Sequence, residues 1–182
     1  MCGGRGTRLD ASVEKPLVPI RGVPMVDRVR TALADARVET VHAVVSPHTP
    51  ATRDHLRAAG ASVVDAPGEG YVADLASALD RVGRPAVTVA ADLPLLAPEP
   101  VNRVLDAADG SLAAYVPVAL KRRLGASVDA DATVVSAGRT LAPVGLNVVA
   151  ETDDDMYVSH DPRLAVNVNR PSDRRLAEAR CP

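Results

Sequence analysis

Three glycines and two arginines crowd the first eight residues, MCGGRGTR, and a lysine follows in EKPL at 14–17. Consecutive glycines let backbone N–H groups converge on an anion, and Arg5, Arg8 and Lys15 supply charge-assisted donors beside them. Gly3, Gly4 and Gly6 carry a backbone-entropy cost that a tight turn or a closely approaching ligand would explain. With Thr7 among them, the loop suits phosphates; the competing reading is a glycine-rich turn with solvated arginines. It matches neither the P-loop nor the G-x-G-x-x-G fingerprint. A second candidate stands in AADLPLL at 90–96, where Asp92 directly follows an apolar run. A lone carboxylate there suits Mg²⁺, a hard cation that binds through one or two carboxylates plus substrate phosphates. Its plainer role would be a helix cap or loop acid.

Such residues need a frame, and the chain has a rhythm that builds one. VHAVVS (41–46), ASVVDA (61–66), AVTVAAD (86–92), AAYVPV (113–118), GLNVVA (145–150) and AVNVN (165–169) have strand length and composition. Between them PMVDRVRTALADA (24–36), TPATRDHLRAAG (49–60), YVADLASALDRVG (71–83), APEPVNRVLDAADG (97–110) and PSDRRLAEA (171–179) read as helices. The second of these opens on Thr49 as a capping residue with Pro50 in the first turn. This alternation predicts an α/β domain of three layers, α/β/α, around a mostly parallel sheet. In such sheets ligands bind beyond the carboxyl ends of the strands, where both candidate sites fall.

Composition narrows the partners. A net charge of −2 and 2% aromatic content argue against a nucleic-acid surface. The apolar runs are far shorter than the roughly 20 residues of a membrane helix, and with no leader-like segment the expectation is a cytoplasmic protein without a membrane span. At 182 residues, 47% of them hydrophobic, residues 1–182 read as a single domain. Cys2 and Cys181 show no metal or disulfide spacing. Arginine supplies all but two of the 21 basic residues, Lys15 and Lys121 being the exceptions.

GGRGTRL followed by EKPLVPIRGVPMVDRV resembles the opening of the nucleotidyltransferases with a glycosyltransferase-A-like, Rossmann-type fold. The resemblance implies that Gly3, Gly4, Arg5, Gly6, Thr7 and Arg8 wrap a triphosphate, that Lys15 contacts the phosphates, and that Asp92 holds Mg²⁺. It also implies a second metal donor near the last strand, and AVNVNRPSDRRLAEA resembles that ending, with Asn167 or Asn169 in the role or serving only as turn and cap residues. An apolar strand of about five residues normally precedes the glycine loop of this fold. Here the first strand is truncated, so Met1 is expected to be internal to a longer chain and neighbouring strands to lose hydrogen-bond partners.

Three further stretches, SPHTPATRDHL (46–56), GEGYVADL (68–75) and LAPVGLNVVAE (141–151), look like segments of the archaeal type of GTP:adenosylcobinamide-phosphate guanylyltransferases. That resemblance implies GTP and adenosylcobinamide phosphate as substrates and pyrophosphate as a product. It implies Ser46, Pro47, Thr49 and the loop from Gly68 to Gly70 near the base and ribose, with Asp74 at either. Gly145 would allow close approach of the acceptor or the α-phosphate, unless it is a bulge glycine. A phosphate nucleophile is already ionised, so Arg5, Arg8, Lys15 and Asp92 would act by positioning and charge neutralisation, and His42, His48, His55 and His160 need no catalytic role. ETDDDMY (151–157) reads as a solvated loop, KRRLG (121–125) as an anion contact or an exposed helix face, and a homodimer stays open. Rival readings are a molybdenum-cofactor or phospholactate guanylyltransferase, a sugar-1-phosphate nucleotidyltransferase, and a non-catalytic nucleotide-binding regulator.

Overall fold

Arg21 (φ 47°) and Gly22 (φ 79°) turn the chain tightly enough to fold β1 (Pro19–Ile20) back on β2 (Val23–Pro24). Helix and strand then alternate: α1 (Met25–Ala34), β3 (His42–Val45), α2 (Pro50–Ala58), β4 (Ser62–Asp65), α3 (Tyr71–Val82), β5 (Ala86–Val89), α4 (Pro98–Ala107), β6 (Ser111–Pro117) and α5 (Val118–Leu124). A hairpin of β7 (Val134–Ser136) and β8 (Arg139–Val149) follows, then β9 (Asp154–Val158) and α6 (Pro171–Arg180). The computed structural model describes residues 1–3, 9, 11–151 and 154–181.

β3 and β4 pair in parallel, and so do β6 and β9. β5 and β6 are both antiparallel to β8, so β5, β6 and β9 share one direction and β8 opposes them. The sheet is thus mostly parallel in direction, as expected, with a long antiparallel strand inserted. β8 extends well beyond the predicted GLNVVA, because Ala137 (φ 47°) and Gly138 (φ 73°) make a two-residue turn that returns the chain along β7. Two predicted elements differ. ETDDDMY is not wholly a loop: its described end belongs to β9, which hydrogen bonds along β6. AVNVN is not a strand: a 3₁₀ turn spans Pro162–Ala165, and the residues after it leave the ladder, with Val168 N donating to Asp92 O at 2.9 Å.

Helices cover both faces at β3 and β4. Ala43 and Val45 pack with Leu56 of α2 and Val26 of α1, while Val44 packs with Ala78 of α3 on the opposite side. Farther along, Val144, Leu146 and Val148 of β8 and Leu112, Ala114 and Val116 of β6 bury one face against α1, α4 and α5. The other face there, with Ala113, Tyr115, Gly145 and Asn147, is half-buried.

Met1 and Cys2 bridge β3 and β5. The Met1 amine donates to Val89 O (2.8 Å), Ala91 N donates to Met1 O (3.2 Å), and Cys2 N donates to Val44 O (2.8 Å). Beside them an apolar cavity of about 560 Å³ separates the two strands, walled by residues including Val44, Leu75, Leu79, Val87 and Val89. Among the described residues no helix is long and apolar enough to cross a membrane.

Candidate functional site

β5 is buried at its carboxyl end, and the chain leaves it through Ala90, Ala91 and Asp92. Leu93, which is fully buried, and Leu95 and Leu96 anchor the following turn, so Asp92 is held by apolar side chains after it and by strand pairing before it. Its carboxylate stays partly accessible, at 15% side-chain exposure. Asp92 Oδ2 accepts from Lys15 Nζ at 2.6 Å, and Oδ1 accepts from Asn167 Nδ2 at 3.0 Å. The same Lys15 ammonium donates to Asn169 Oδ1 at 2.7 Å. Two hard oxygens, one from the middle of the chain and one from near its end, therefore converge on the Lys15 ammonium.

Each member of this cluster is held from behind. Lys15 lies in a 3₁₀ turn (Lys15–Leu17), and its neighbour Glu14 accepts from Ala51 N (2.9 Å), Thr52 N (2.7 Å) and Thr52 Oγ1 (2.6 Å). Glu14 thus does the capping expected of Thr49, whose side chain instead donates to Ser46 O (3.3 Å) inside its own tight turn. Burial disfavours the Glu14 charge, but the Thr52 hydroxyl, the Thr52 and Ala51 amides and Arg53 outweigh it, so its pKa lies below the ordinary glutamate value. Asn169 is fixed through the fully buried Asp173, which accepts from Asn169 N (3.1 Å), Arg170 N (2.9 Å) and both Ser127 N and Oγ (2.7 Å each). Asn167 Nδ2 also donates to Val144 O (2.9 Å), and its Oδ1 accepts from the buried Lys121 (3.1 Å). Burial pushes the Lys121 pKa below the ordinary lysine value, opposed by Asp173 and Asp92.

A cavity of about 530 Å³ opens onto the cluster, and Gly3, Lys15, Gly68, Gly70, Asp74 and Asp92 share its wall. Glu69, inside the expected Gly68–Gly70 loop, lines it too, as do His48 and Tyr71, which sequence reasoning did not anticipate. Asp74 is buried and accepts from Gly68 N at 2.7 Å, while His48 Nε2 hydrogen bonds with Gly68 O at 3.1 Å. Gly3 needs its missing side chain, because a Cβ there would come within 3.1 Å of Asp74 Oδ2 and 3.2 Å of Ser46.

Several sequence candidates fall elsewhere. Ser46 and Thr49 are buried and hydrogen bonded within their turn, Ser46 Oγ also donating to Gly3 O at 3.1 Å. Pro47 packs beside Gly68. Gly145 stands at the β6–β8 register shift with φ 78°, where a Cβ would meet Ala90 Cβ at 2.8 Å, so strand packing accounts for it as a bulge glycine. Gly4, Arg5, Gly6, Thr7 and Arg8 lie outside the described residues. Asp173 was missed, and Lys121, read within KRRLG as an anion contact or part of an exposed helix face, is instead buried and turned inward to Ala165 O and Asn167 Oδ1.

Among the described residues no three His, Cys, Asp or Glu side chains cluster as a metal cage. The Asp92 and Asn169 oxygens form instead the sparse, hard donor set that suits Mg²⁺ completed by water and phosphate oxygens.

The chain is similar to known proteins. The family model described as a MobA-like NTP transferase domain matches residues 1–144. An adenosylcobinamide-phosphate guanylyltransferase of Methanocaldococcus jannaschii is 28% identical over 195 aligned residues, which cover 98% of this chain and 93% of that protein. Among solved structures, a hypothetical transferase from Thermus thermophilus superposes with a TM-score of 0.60 at 25% identity, over 82% of this chain and 63% of its own. A CMP:2-keto-3-deoxy-manno-octonic acid synthetase complexed with CTP superposes with a TM-score of 0.58 at 17% identity, over 79% of this chain and 70% of its own, a likeness of fold.

Proposed function

This chain belongs to the MobA-like NTP transferase family, and on that premise we propose that it moves GMP from GTP to adenosylcobinamide phosphate, releasing pyrophosphate. The observation that carries the transfer chemistry is the Lys15–Asp92 pair (2.6 Å) in the wall of the 530 Å³ cavity. The acceptor rests on the likeness to the Methanocaldococcus jannaschii enzyme along nearly the whole of both chains.

In this reading an oxygen of the acceptor's phosphate attacks the α-phosphorus of GTP. A new P–O–P bond forms as the bond from the α-phosphorus to the α,β-bridging oxygen breaks, and pyrophosphate leaves with that electron pair. The attacking phosphate is ionised near neutral pH, so the site needs charge and position more than a base. Two groups of the described wall agree with this, Asp74 being engaged by Gly68 N and His48 by Gly68 O, while Lys15 and Asp92 face each other. Lys15 would turn from Asp92 to the departing phosphates. Arg5 and Arg8 are proposed beside it on the strength of the glycine-loop motif.

Asp92 and Asn169 would hold Mg²⁺, which would supply charge neutralisation at the phosphates. The wall formed by Gly68, Gly70 and Tyr71 is the proposed seat of the base and ribose. GTP as donor implies a cytoplasmic reaction.

The test is GTP-dependent pyrophosphate release by the purified protein with Mg²⁺, with and without adenosylcobinamide phosphate, beside Asp92→Ala. Release that needs the corrinoid and is lost in the variant supports the reading. Release with a sugar phosphate or phospholactate instead would keep the transferase and replace the acceptor. GTP binding with no release for any acceptor would favour a regulator.

A further inference from the structure

Lys121 is 4% exposed, and its ammonium donates to two uncharged acceptors, Ala165 O (2.9 Å) and Asn167 Oδ1 (3.1 Å). A buried charge is costly unless its surroundings use it, and a tie to one carbonyl would need only a neutral donor. The chain has two lysines, and both reach the same cluster, Lys15 at Asp92 and Asn169 and Lys121 at Asn167. A guanidinium is a broad planar fork, whereas an ammonium is a compact centre with rotatable donors that can serve converging oxygens.

The consequence lies in Asn167. Its amide has an accepting side and a donating side of nearly the same shape, and its neighbours decide which way it faces. Lys121 can only donate, so it claims Oδ1 and turns Nδ2 toward Asp92 Oδ1 (3.0 Å) and Val144 O (2.9 Å). With the amide reversed, Nδ2 would face the ammonium, donor against donor, and Oδ1 would face a carboxylate and a carbonyl, acceptors against acceptor.

We infer that Lys121 is a positioning residue that locks the Asn167 amide, so that Asp92 is gripped through Oδ1 and presents Oδ2 to the cation. Resting on the transferase reading above, this separates the two asparagines. Asn167 holds the carboxylate, and Asn169, whose Oδ1 meets the same ammonium as Asp92 Oδ2, is the amide that shares the cation. Lys121 acts on the site across three side chains without touching a substrate.

The test compares Lys121→Met, which removes both donor and charge, with Lys121→Gln, which removes the charge and keeps an N–H donor. Solvent exchange of the Asn167 side-chain amide protons, followed by NMR on the full chain without nucleotide, should be about tenfold faster in Lys121→Met and within about twofold of the parent in Lys121→Gln. Binding of Mn²⁺ alone, read from the electron paramagnetic resonance signal of the free ion, should be about tenfold weaker in Lys121→Met than in Lys121→Gln, the scale expected for a group that orients a metal ligand. Asn167→Leu cuts the same link from the other side and should weaken Mn²⁺ binding equally, which keeps the test decisive if Lys121→Met does not fold. Equal behaviour of the Met and Gln variants would reduce Lys121 to a charge effect and overturn the inference, as would a loosened amide with unchanged Mn²⁺ affinity. Neither readout uses an acceptor, so failure of the transferase reading would show separately, as absent pyrophosphate release.

Discussion

Two cavities of nearly equal size, about 560 and 530 Å³, share Met1, Cys2 and Ala91 in their walls and differ in how their polar groups are placed. The larger lies between β3 and β5, mostly among valines, leucines and alanines with Arg30, Arg37, Glu39 and His42 scattered in its wall, where strand edges meet through Met1 and Cys2. The smaller gathers Lys15, Asp92, Asp74 and His48 around backbone kept bare by glycine. Volume therefore says little about where chemistry occurs, while convergent polar groups held from behind say a great deal. The larger cavity is walled mainly by core side chains, and the smaller holds the Lys15–Asp92 pair proposed for the transfer.

The sharpest way to break that division is Asp92→Ala. It should lower pyrophosphate release at least about 100-fold, the cost of removing one preorganised electrostatic group, while shifting stability by less than about 1 kcal/mol, as befits a partly accessible ion pair. Comparable losses of stability and activity in urea unfolding and initial-rate assays would dissolve the distinction. Leu79→Ala, on the wall of the apolar cavity, should do the converse. Its side chain is 4% exposed, so truncation should destabilise by about 2–5 kcal/mol with KM for GTP unchanged at a permissive temperature.

Gly68→Ala falls between the two. The residue has φ 83°, and a Cβ would sit 2.9 Å from Pro47 Cδ, so a loss of about 1–2 kcal/mol is expected for the left-handed backbone alone. Because Gly68 also anchors Asp74 and His48, KM for GTP should rise as well; a change in stability with KM intact would remove this loop from the nucleotide site. The smallest effect belongs to Glu14→Gln, at about 1 kcal/mol for a weakened helix cap. Its carboxyl has a lowered pKa in the folded protein, so its contribution is complete above the ordinary glutamate pKa and fades as pH falls through the folded value. The difference in thermal midpoint between parent and Glu14→Gln should therefore shrink on acidification below about pH 4, and a difference that grew there would contradict the assignment.

Much of the fold was legible because local patterns and tertiary demands agree. All five predicted helices form within a few residues of their predicted spans, since each buries part of one face and has a proline or glycine at an end. The inserted strand β8 was half-read, because Pro143 and Gly145 stand inside it, residue types that usually interrupt a strand. AVNVN was misread because Val166 and Val168 are as apolar as strand residues, yet they fill a core between α6 and β1.

At the site, Lys15 and Asp92 were visible as residue types next to a glycine loop and a strand end. What local sequence could determine was this much: a helix-and-strand rhythm, a backbone left bare for an anion, and a carboxylate placed after an apolar run. Tertiary structure alone decided which residues meet them. Lys15 bonds Asn169 across 154 positions, Asn167 bonds Asp92 across 75 and Lys121 bonds Asn167 across 46. No periodicity links residues so far apart. Their amides and ammonium groups gain direction only when the folded chain removes competing water and leaves each donor a few fixed acceptors to face.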